Sequence, residues 1–446
     1  MAELTVALHG NVVGHLRGNG GNFDFTPAAD AVRTWGLNSR ALSLAVPLLP
    51  RPPASGRALR RNFFAELLPE GDARERLANE ARVPKDDVMG MLAAFGRDVA
   101  GALQIWDASA PDEPRTPAIE PLDDAGVRAM LQNVAIAPLG NKPRRGKTSL
   151  NGVQSKIVLV RTESGWARAV DGWPSTHIAK PVVPRYPSMI FDEEYGSRFA
   201  RALGLADFST ELTTFDGAAA LLIERYDRHS ALPDGRVHQE DFSQALGLSG
   251  DQKYEIYGHK GVAEIAGMVD SEGAERVLRM LTLSVAVGNL DLHMKNFSLL
   301  HPQDGTVRMA PMYDVVPQHF YDDTDGEMAL RIAGEYEHAR LTREHLASAG
   351  AELGVRATDE IVEQTLTDVR DVAARERPHA AAHPGLQQMI EKMATDLLDG
   401  KTAGGDEPGA ADAPTRRPGA GGWRWDNPLH SAANARPESP PDADQV

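Results

Sequence analysis

Asp291-Leu292-His293-Met294-Lys295-Asn296 follows an apolar stripe of Val277, Met280, Leu281 and Val285, and Met312-Tyr313-Asp314-Val315 comes shortly after, with Asp314 eighteen residues beyond Asn296. The stripe recurs at helical spacing, so it predicts a buried helix that ends just before the first motif. An Asp and an Asn separated by four residues set a carboxylate and an amide oxygen on one loop. The second motif adds a carboxylate behind a short apolar strand. Magnesium takes hard oxygen ligands and leaves positions for phosphate oxygens, and Asn296 with Asp314 supplies such a protein share. Alone, the first pair is also what a solvated helix C-terminus gives, and the second what a strand-end turn gives. Upstream residues, and their order, decide between these readings.

Thr176-His177-Ile178-Ala179-Lys180 places a lysine at the end of an apolar strand, where an ammonium reaches nucleotide phosphates. Glu193 and Glu194 open the next helix, and either carboxylate would fix that lysine, with Glu194 the nominal choice. Ser149-Leu150-Asn151-Gly152-Val153-Gln154-Ser155-Lys156 precedes the strand Ile157 to Val160, and Gly152 lets backbone N–H groups approach phosphate. The Gly140 to Thr148 run misses a Walker loop, having five rather than four residues before Gly146-Lys147-Thr148. Lys142, Arg144, Arg145 and Lys147 read as a solvated loop or, beside a phosphate site, as the holder of an acidic peptide. Leu221-Leu222-Ile223-Glu224-Arg225-Tyr226-Asp227-Arg228 is a buried-type strand running into charges, the form of a hinge whose backbone hydrogen-bonds adenine. Taken singly, Lys180, Glu193 and Glu194 read as surface charges. Together, phosphate loop, lysine, helix glutamate, hinge, D-x-x-x-x-N and metal aspartate stand in the order of a two-lobe kinase.

The 446 residues allow about three folded units. With 47 Lys plus Arg against 63 Asp plus Glu, the net charge of −16 argues against a nucleic-acid coat. Absence of cysteine excludes disulfide frameworks, thiol nucleophiles and iron–sulfur clusters, and suits a reducing cytosol. Met1-Ala2-Glu3-Leu4 lacks a signal-peptide pattern, and the best membrane candidate, Val277 to Leu290, is short and broken by Arg279. A soluble, cytoplasmic protein is expected. Residues 1–125 read as a small β-rich unit, with strands at Leu4 to His9 and Val12 to Arg17 and a turn at Asn19-Gly20-Gly21. The acidic stretch Ala108 to Asp124 reads as a connector. Residues 126–236 form a mixed α/β lobe and 237–400 a helical lobe, with any ligand expected at their junction. Residues 401–446 are poor in large aliphatics and read as a disordered tail, Trp423 and Trp425 being incidental or a short docking element.

On these residues, from the first strand to about residue 400, the chain resembles the HipA family of toxin serine/threonine kinases from bacterial toxin–antitoxin pairs. The most specific pieces are Ser149 to Lys156, Thr176 to Lys180, Glu224 to Arg228, Gln239 to Gln244, Lys253-Tyr254-Glu255, Asp291 to Asn296 and Tyr313-Asp314. Asn62 to Gly71 and Gly101-Ala102-Leu103 resemble the amino-terminal domain of full-length members. The resemblance implies an α+β, two-lobe protein-kinase-like fold with a small β-rich N-terminal subdomain and a largely helical C-terminal lobe. It implies ATP and Mg2+, Asp291 as catalytic base, Asn296 and Asp314 as metal ligands, and Lys180 on the phosphates. Asn151, Gly152, Val153, Gln154, Ser155 and Lys156 would form the phosphate loop, and Glu224, Arg225 and Tyr226 the hinge. His293, Lys295 and Tyr313 would line the nucleotide site, and Ser149 would be autophosphorylated. Implied partners are a helix-turn-helix antitoxin (HipB-like), a target such as an aminoacyl-tRNA synthetase, and operator DNA through the antitoxin complex, with no membrane. Asn289 and Leu290 before the loop, and Val315 and Val316 after Asp314, depart from ordinary protein kinases. Two alternatives stay open: a small-molecule kinase, and a nucleotide-binding corepressor acting only through its antitoxin.

Overall fold

A computed structural model describes residues 2–142, 145–150, 154–232, 234–254, 261–406 and 408. Asn151, Gly152, Val153, Arg144, Glu255, Trp423 and Trp425 therefore lie outside the described residues.

The N-terminal unit is built from β1 (Ala2–Leu8), β2 (Asn11–Asn19), β3 (Asn22–Pro27), α1 (Ala29–Trp35), α2 (Arg57–Ala65), α3 (Gly71–Ala81), α4 (Val88–Phe95) and β4 (Leu103–Trp106). Its strands form an antiparallel sheet of order β3-β2-β1-β4. Asn19 pairs with Asn22 across the expected turn, so Gly20-Gly21 is a two-residue hairpin loop. Phe23 and Phe25 alternate inward and pack with Phe63 and Phe64 of α2 in a core of their own.

The second unit contains β5 (Ala118–Leu122), α5 (Asp124–Gln132), β6 (Ile157–Thr162), β7 (Gly165–Val170), β8 (His177–Pro181), α6 (Met189–Ala202), β9 (Thr210–Phe215) and β10 (Ala218–Glu224). The strand order is β5-β7-β6-β8-β10-β9, so β8 lies inside the sheet and carries Lys180 at its end. The stretch read as a connector departs from expectation: Ala118 to Leu122 pairs with β7 as an edge strand. Its half-exposed faces and Pro121, tolerated only at an edge, hid the alternation that marks a strand.

The third unit holds β11 (His238–Asp241), α7 (Phe242–Leu246), α8 (Val262–Ala266), α9 (Ser271–Val287), β12 (Ser298–His301), β13 (Arg308–Met309), β14 (Glu327–Ile332), β15 (Glu335–Glu337), α10 (Arg343–Glu352), α11 (Thr358–Arg375) and α12 (Leu386–Leu398). The stripe Val277, Met280, Leu281 and Val285 is buried in one core with Val369 of α11 and Ile390 of α12. Helix α9 ends at Gly288, in left-handed conformation at the C-cap, and releases the chain into the Asp291 loop. Thr402 and Ala403, assigned by composition to the tail, are buried, and the Ala403 and Gly404 N–H groups bond the Leu341 and Ala339 carbonyls. Backbone pairing rather than side-chain hydrophobicity docks them. Among the described residues no helix is long and apolar enough to cross a membrane.

Candidate active site

Lys180 is 5% exposed, and its ammonium lies 2.7 Å from Glu193 Oε1 on α6 and 2.7 Å from Asp314 Oδ1. Glu193, not Glu194, is therefore the helix partner. Successive helical residues point about 100° apart, and Glu194 turns instead to Arg198 and Arg201, at 2.8 and 3.8 Å. Burial pushes the Glu193 carboxyl up despite the adjacent Lys180. Burial also acts to raise Asp314, but Lys180 outweighs it and holds that carboxyl below its usual range. Gly196, one turn beyond Glu193, makes this approach feasible: a Cβ there would stand 2.1 Å from the Val315 carbonyl oxygen. Asp314 itself adopts φ +58°, a left-handed conformation that a non-glycine residue holds at a cost and that clusters at functional sites.

Across the cleft, Asp291 Oδ1 is buried without a hydrogen-bond partner among the described residues. Burial pushes its carboxyl up to about 7, with Lys253 opposing the rise and Asp314 and Glu70 adding to it. The Asp291 carbonyl accepts from the His293 N–H, and the His293 carbonyl from the Asn296 N–H, which winds the loop into a tight turn. The Asn296 side-chain amide has no protein partner among the described residues. Burial lowers His293 to about 3, so its imidazole is neutral. Tyr313 donates its hydroxyl to the Lys295 carbonyl at 2.6 Å, and its ring stacks on Tyr226 at 5.7 Å. Lys156 also lines the cleft, its ammonium lowered to about 8 by burial and by Lys180.

At the hinge, the Glu224 and Arg225 N–H groups bond the Ser209 and Thr176 carbonyls. The Arg225 side chain runs to Asp227 and Ser175, and with Arg228 it surrounds Asp98 of the N-terminal unit, which is fully buried. Arg225 therefore joins two units through its side chain, whereas Tyr226 presents a ring to the cleft. Lys295 lines the cleft as well, and its ammonium pairs with Glu66 and Glu70 at 2.5 and 3.0 Å.

Ser149 is completely buried, its hydroxyl donating to the Leu67 carbonyl at 2.9 Å. The neighbouring cations are occupied: Lys142 by Glu120, Arg145 by Asp171 and Glu120, and Lys147 by Glu113. Lys147 is buried, whereas Lys142 and Arg145 remain half-exposed at the surface in these ion pairs. Gln154 and Lys156 face the same cleft as Asp291, Asn296 and Asp314, while Ser155 between them is exposed. Nothing in local sequence marked Glu66, Glu70 or Lys253 as belonging here; only their presence in stretches resembling the family pointed to them. Among the described residues no group of three His, Cys, Asp or Glu is placed to hold a metal. A two-ligand site completed by phosphate oxygens is the arrangement these donors fit.

The sequence profile of the HipA-like C-terminal domain matches residues 148–375, and that of the HipA N-terminal domain matches residues 4–106. The inferred kinase Y4mE of Sinorhizobium fredii is 34% identical over 357 residues, covering 76% of this chain and 83% of that protein. The serine/threonine-protein kinase toxin HipA of Shewanella oneidensis is 27% identical over 374 residues, covering 79% of this chain and 84% of that protein. A solved complex of Shewanella oneidensis HipA, HipB and operator DNA contains a chain of the same fold, with TM-score 0.71 at 22% identity, covering 89% of this chain and 96% of that one. With both domain profiles matched in order along one polypeptide, and a kinase-like cleft between its lobes, the chain belongs to the HipA family.

Proposed function

We propose that this chain is an ATP- and magnesium-dependent serine/threonine protein kinase, the toxin of a toxin–antitoxin pair. One observation carries the reading: Lys180 is bridged between Glu193 and Asp314, in a cleft that also holds the unpartnered Asp291 oxygen and the Asn296 amide. These donors suit the group expected there, because a buried orphan carboxylate oxygen is costly unless a partner completes it, and the Asn296 amide has no protein partner among the described residues. Asn296 and Asp314 would hold magnesium, which supplies charge neutralisation on the phosphates. Lys180, kept protonated by its two carboxylates, binds the phosphates, and Lys156 adds a second cation. Tyr226 and the hinge backbone hold the base. Asp291 Oδ1 takes the proton of the incoming serine or threonine hydroxyl as that oxygen bonds to phosphorus and the bond to the leaving phosphate breaks.

A translation-related acceptor such as an aminoacyl-tRNA synthetase and a HipB-like helix-turn-helix antitoxin, through which operator DNA is bound, are the proposed partners. The likeness in fold to HipA of Shewanella oneidensis, solved with HipB and operator DNA, supports the antitoxin and the DNA; the acceptor rests on the family resemblance alone. Ser149 is proposed as the site of self-inactivation. Its burial means that the segment must first leave Leu67 and Asp98 before the hydroxyl meets a phosphate.

The test is transfer of labelled γ-phosphate by the wild type and by Asp291→Asn. Label in protein, lost by orders of magnitude in a folded variant that still binds ATP, is the expected result. Label in small metabolites alone would instead make this a small-molecule kinase. Equal growth arrest by Asp291→Asn would leave the corepressor.

A further inference from the structure

Pro69-Glu70-Gly71 reads in sequence as a break between two helices, and in the fold it lies against the catalytic loop. Glu70 occupies the N-cap of α3, yet its carboxylate makes no bond to that helix. It crosses instead to the third unit, 2.7 Å from Lys253 Nζ and 3.0 Å from Lys295 Nζ. Gly71 follows in left-handed conformation, a turn that aims the preceding side chain outward from its own helix. Glu66, at the end of α2, divides its carboxylate between the Gly250 N–H, at 3.0 Å, and Lys295. Lys253, Lys295 and Glu66 are all under a tenth exposed. Burial alone would push Glu70 up, but Lys295 and Lys253 outweigh it and hold its carboxyl far below the usual range.

Lys295 stands inside the loop between Asp291 and Asn296, and its carbonyl accepts from Tyr313, the residue before Asp314. Lys253 adjoins Tyr254, whose ring packs on His293 of the same loop at 5.3 Å. Two cations flanking the base and the metal ligand are thus fixed by two carboxylates of another unit.

We infer that Glu70, with Glu66, is a positioning residue for phosphoryl transfer: the N-terminal unit neutralises Lys253 and Lys295 and thereby keeps Asp291 and Asn296 in register. The inference rests on the kinase reading and goes beyond it, since it makes the N-terminal unit part of the catalytic arrangement. Without Glu70, Lys253 is left to seek Asp291, which lines the same cleft and already feels its charge. Pairing of that kind occupies the base without touching the hinge or Lys180.

The experiment uses the full chain with Glu70→Gln, Glu70→Asp, Lys253→Met and the double variant Glu70→Gln/Lys253→Met. It measures ATP affinity, thermal midpoint and the initial rate of phosphate transfer from magnesium-ATP. Glu70→Gln should lose at least about tenfold in kcat with less than about threefold change in ATP affinity, the pattern of an interaction that matters to the transition state. Glu70→Asp should recover part of the rate. The double variant should turn over faster than Glu70→Gln, because the freed ammonium is gone. Wild-type kcat in Glu70→Gln overturns the inference, as does a parallel loss of thermal midpoint and ATP affinity, which would make the contact structural. A wild-type chain that binds ATP and transfers phosphate to nothing overturns the kinase reading itself, and this inference falls with it.

Discussion

Gly196→Ala tests whether the contact between α6 and the Asp314 segment sets the active geometry. A methyl group at position 196 would lie 2.1 Å from the Val315 carbonyl oxygen, against about 3.4 Å for ordinary contact. Helix and segment must therefore part by about 1.3 Å, and backbone on both sides leaves no flexible side chain to absorb the change. Overpacking of this kind costs about 1–3 kcal/mol. The larger effect falls on Lys180, which holds Glu193 and Asp314 at 2.7 Å each. Opening either distance by more than about 1 Å takes it beyond hydrogen-bond range, and a misplacement of about 1 Å in a catalytic group costs roughly 100-fold in rate. We expect kcat for phosphate transfer to fall by about that factor, with a modest drop in the urea midpoint. Gly267→Ala is the control, since a methyl there meets nothing closer than 3.7 Å. A Gly196→Ala protein with wild-type kcat and an unchanged midpoint would refute the reasoning.

Because burial pushes Asp291 up to about 7 and the base must be ionised to accept a proton, kcat/KM should be full above that pH and decline as pH falls through it. A flat profile from about pH 5.5 to 8 would contradict this assignment. Asp98→Ala leaves Arg225 and Arg228 with Asp227 but without the second carboxylate they share, so unfolding should become easier by about 1–3 kcal/mol; no measurable change in denaturant titration would dismiss Asp98 as a stabiliser of the network. Ser149→Asp should lose ATP binding, since a carboxylate cannot occupy the site facing the Leu67 carbonyl, and mass spectrometry of wild type incubated with magnesium-ATP should find phosphate on Ser149 unless the switch is absent. With a net charge of −16, the chain should bind a basic antitoxin in a salt-sensitive manner, and tight operator binding by the chain alone at physiological salt would argue against that pairing.

The order of the site's parts was legible because each rests on local pattern. Strands end in Lys180 and Glu224, helix α9 ends before Asp291, and Asn296 follows at fixed spacing. Periodicity specifies such elements, since it records which face each residue turns to the core. Family resemblance then named Asp291 and Asp314. Tertiary structure decided the rest. Glu193 and Glu194 are equivalent in composition, and only the way α6 packs, with Gly196 against Val315, directs the first of them to Lys180. Lys295 lies in the cleft lining, but its pairing with Glu66, more than two hundred residues earlier, is written in no local pattern. Arg225, read as part of the hinge, sends its side chain to Asp98 and Asp227, and Lys147, read as part of a solvated loop, pairs with Glu113. Coulomb attraction acts across space and depends on burial, so a charge's partner and its cost of desolvation exist only once the chain has folded. Sequence spacing thus set the order of the residues along the loop, and the packing of three units set which charges are paired and which line the cleft.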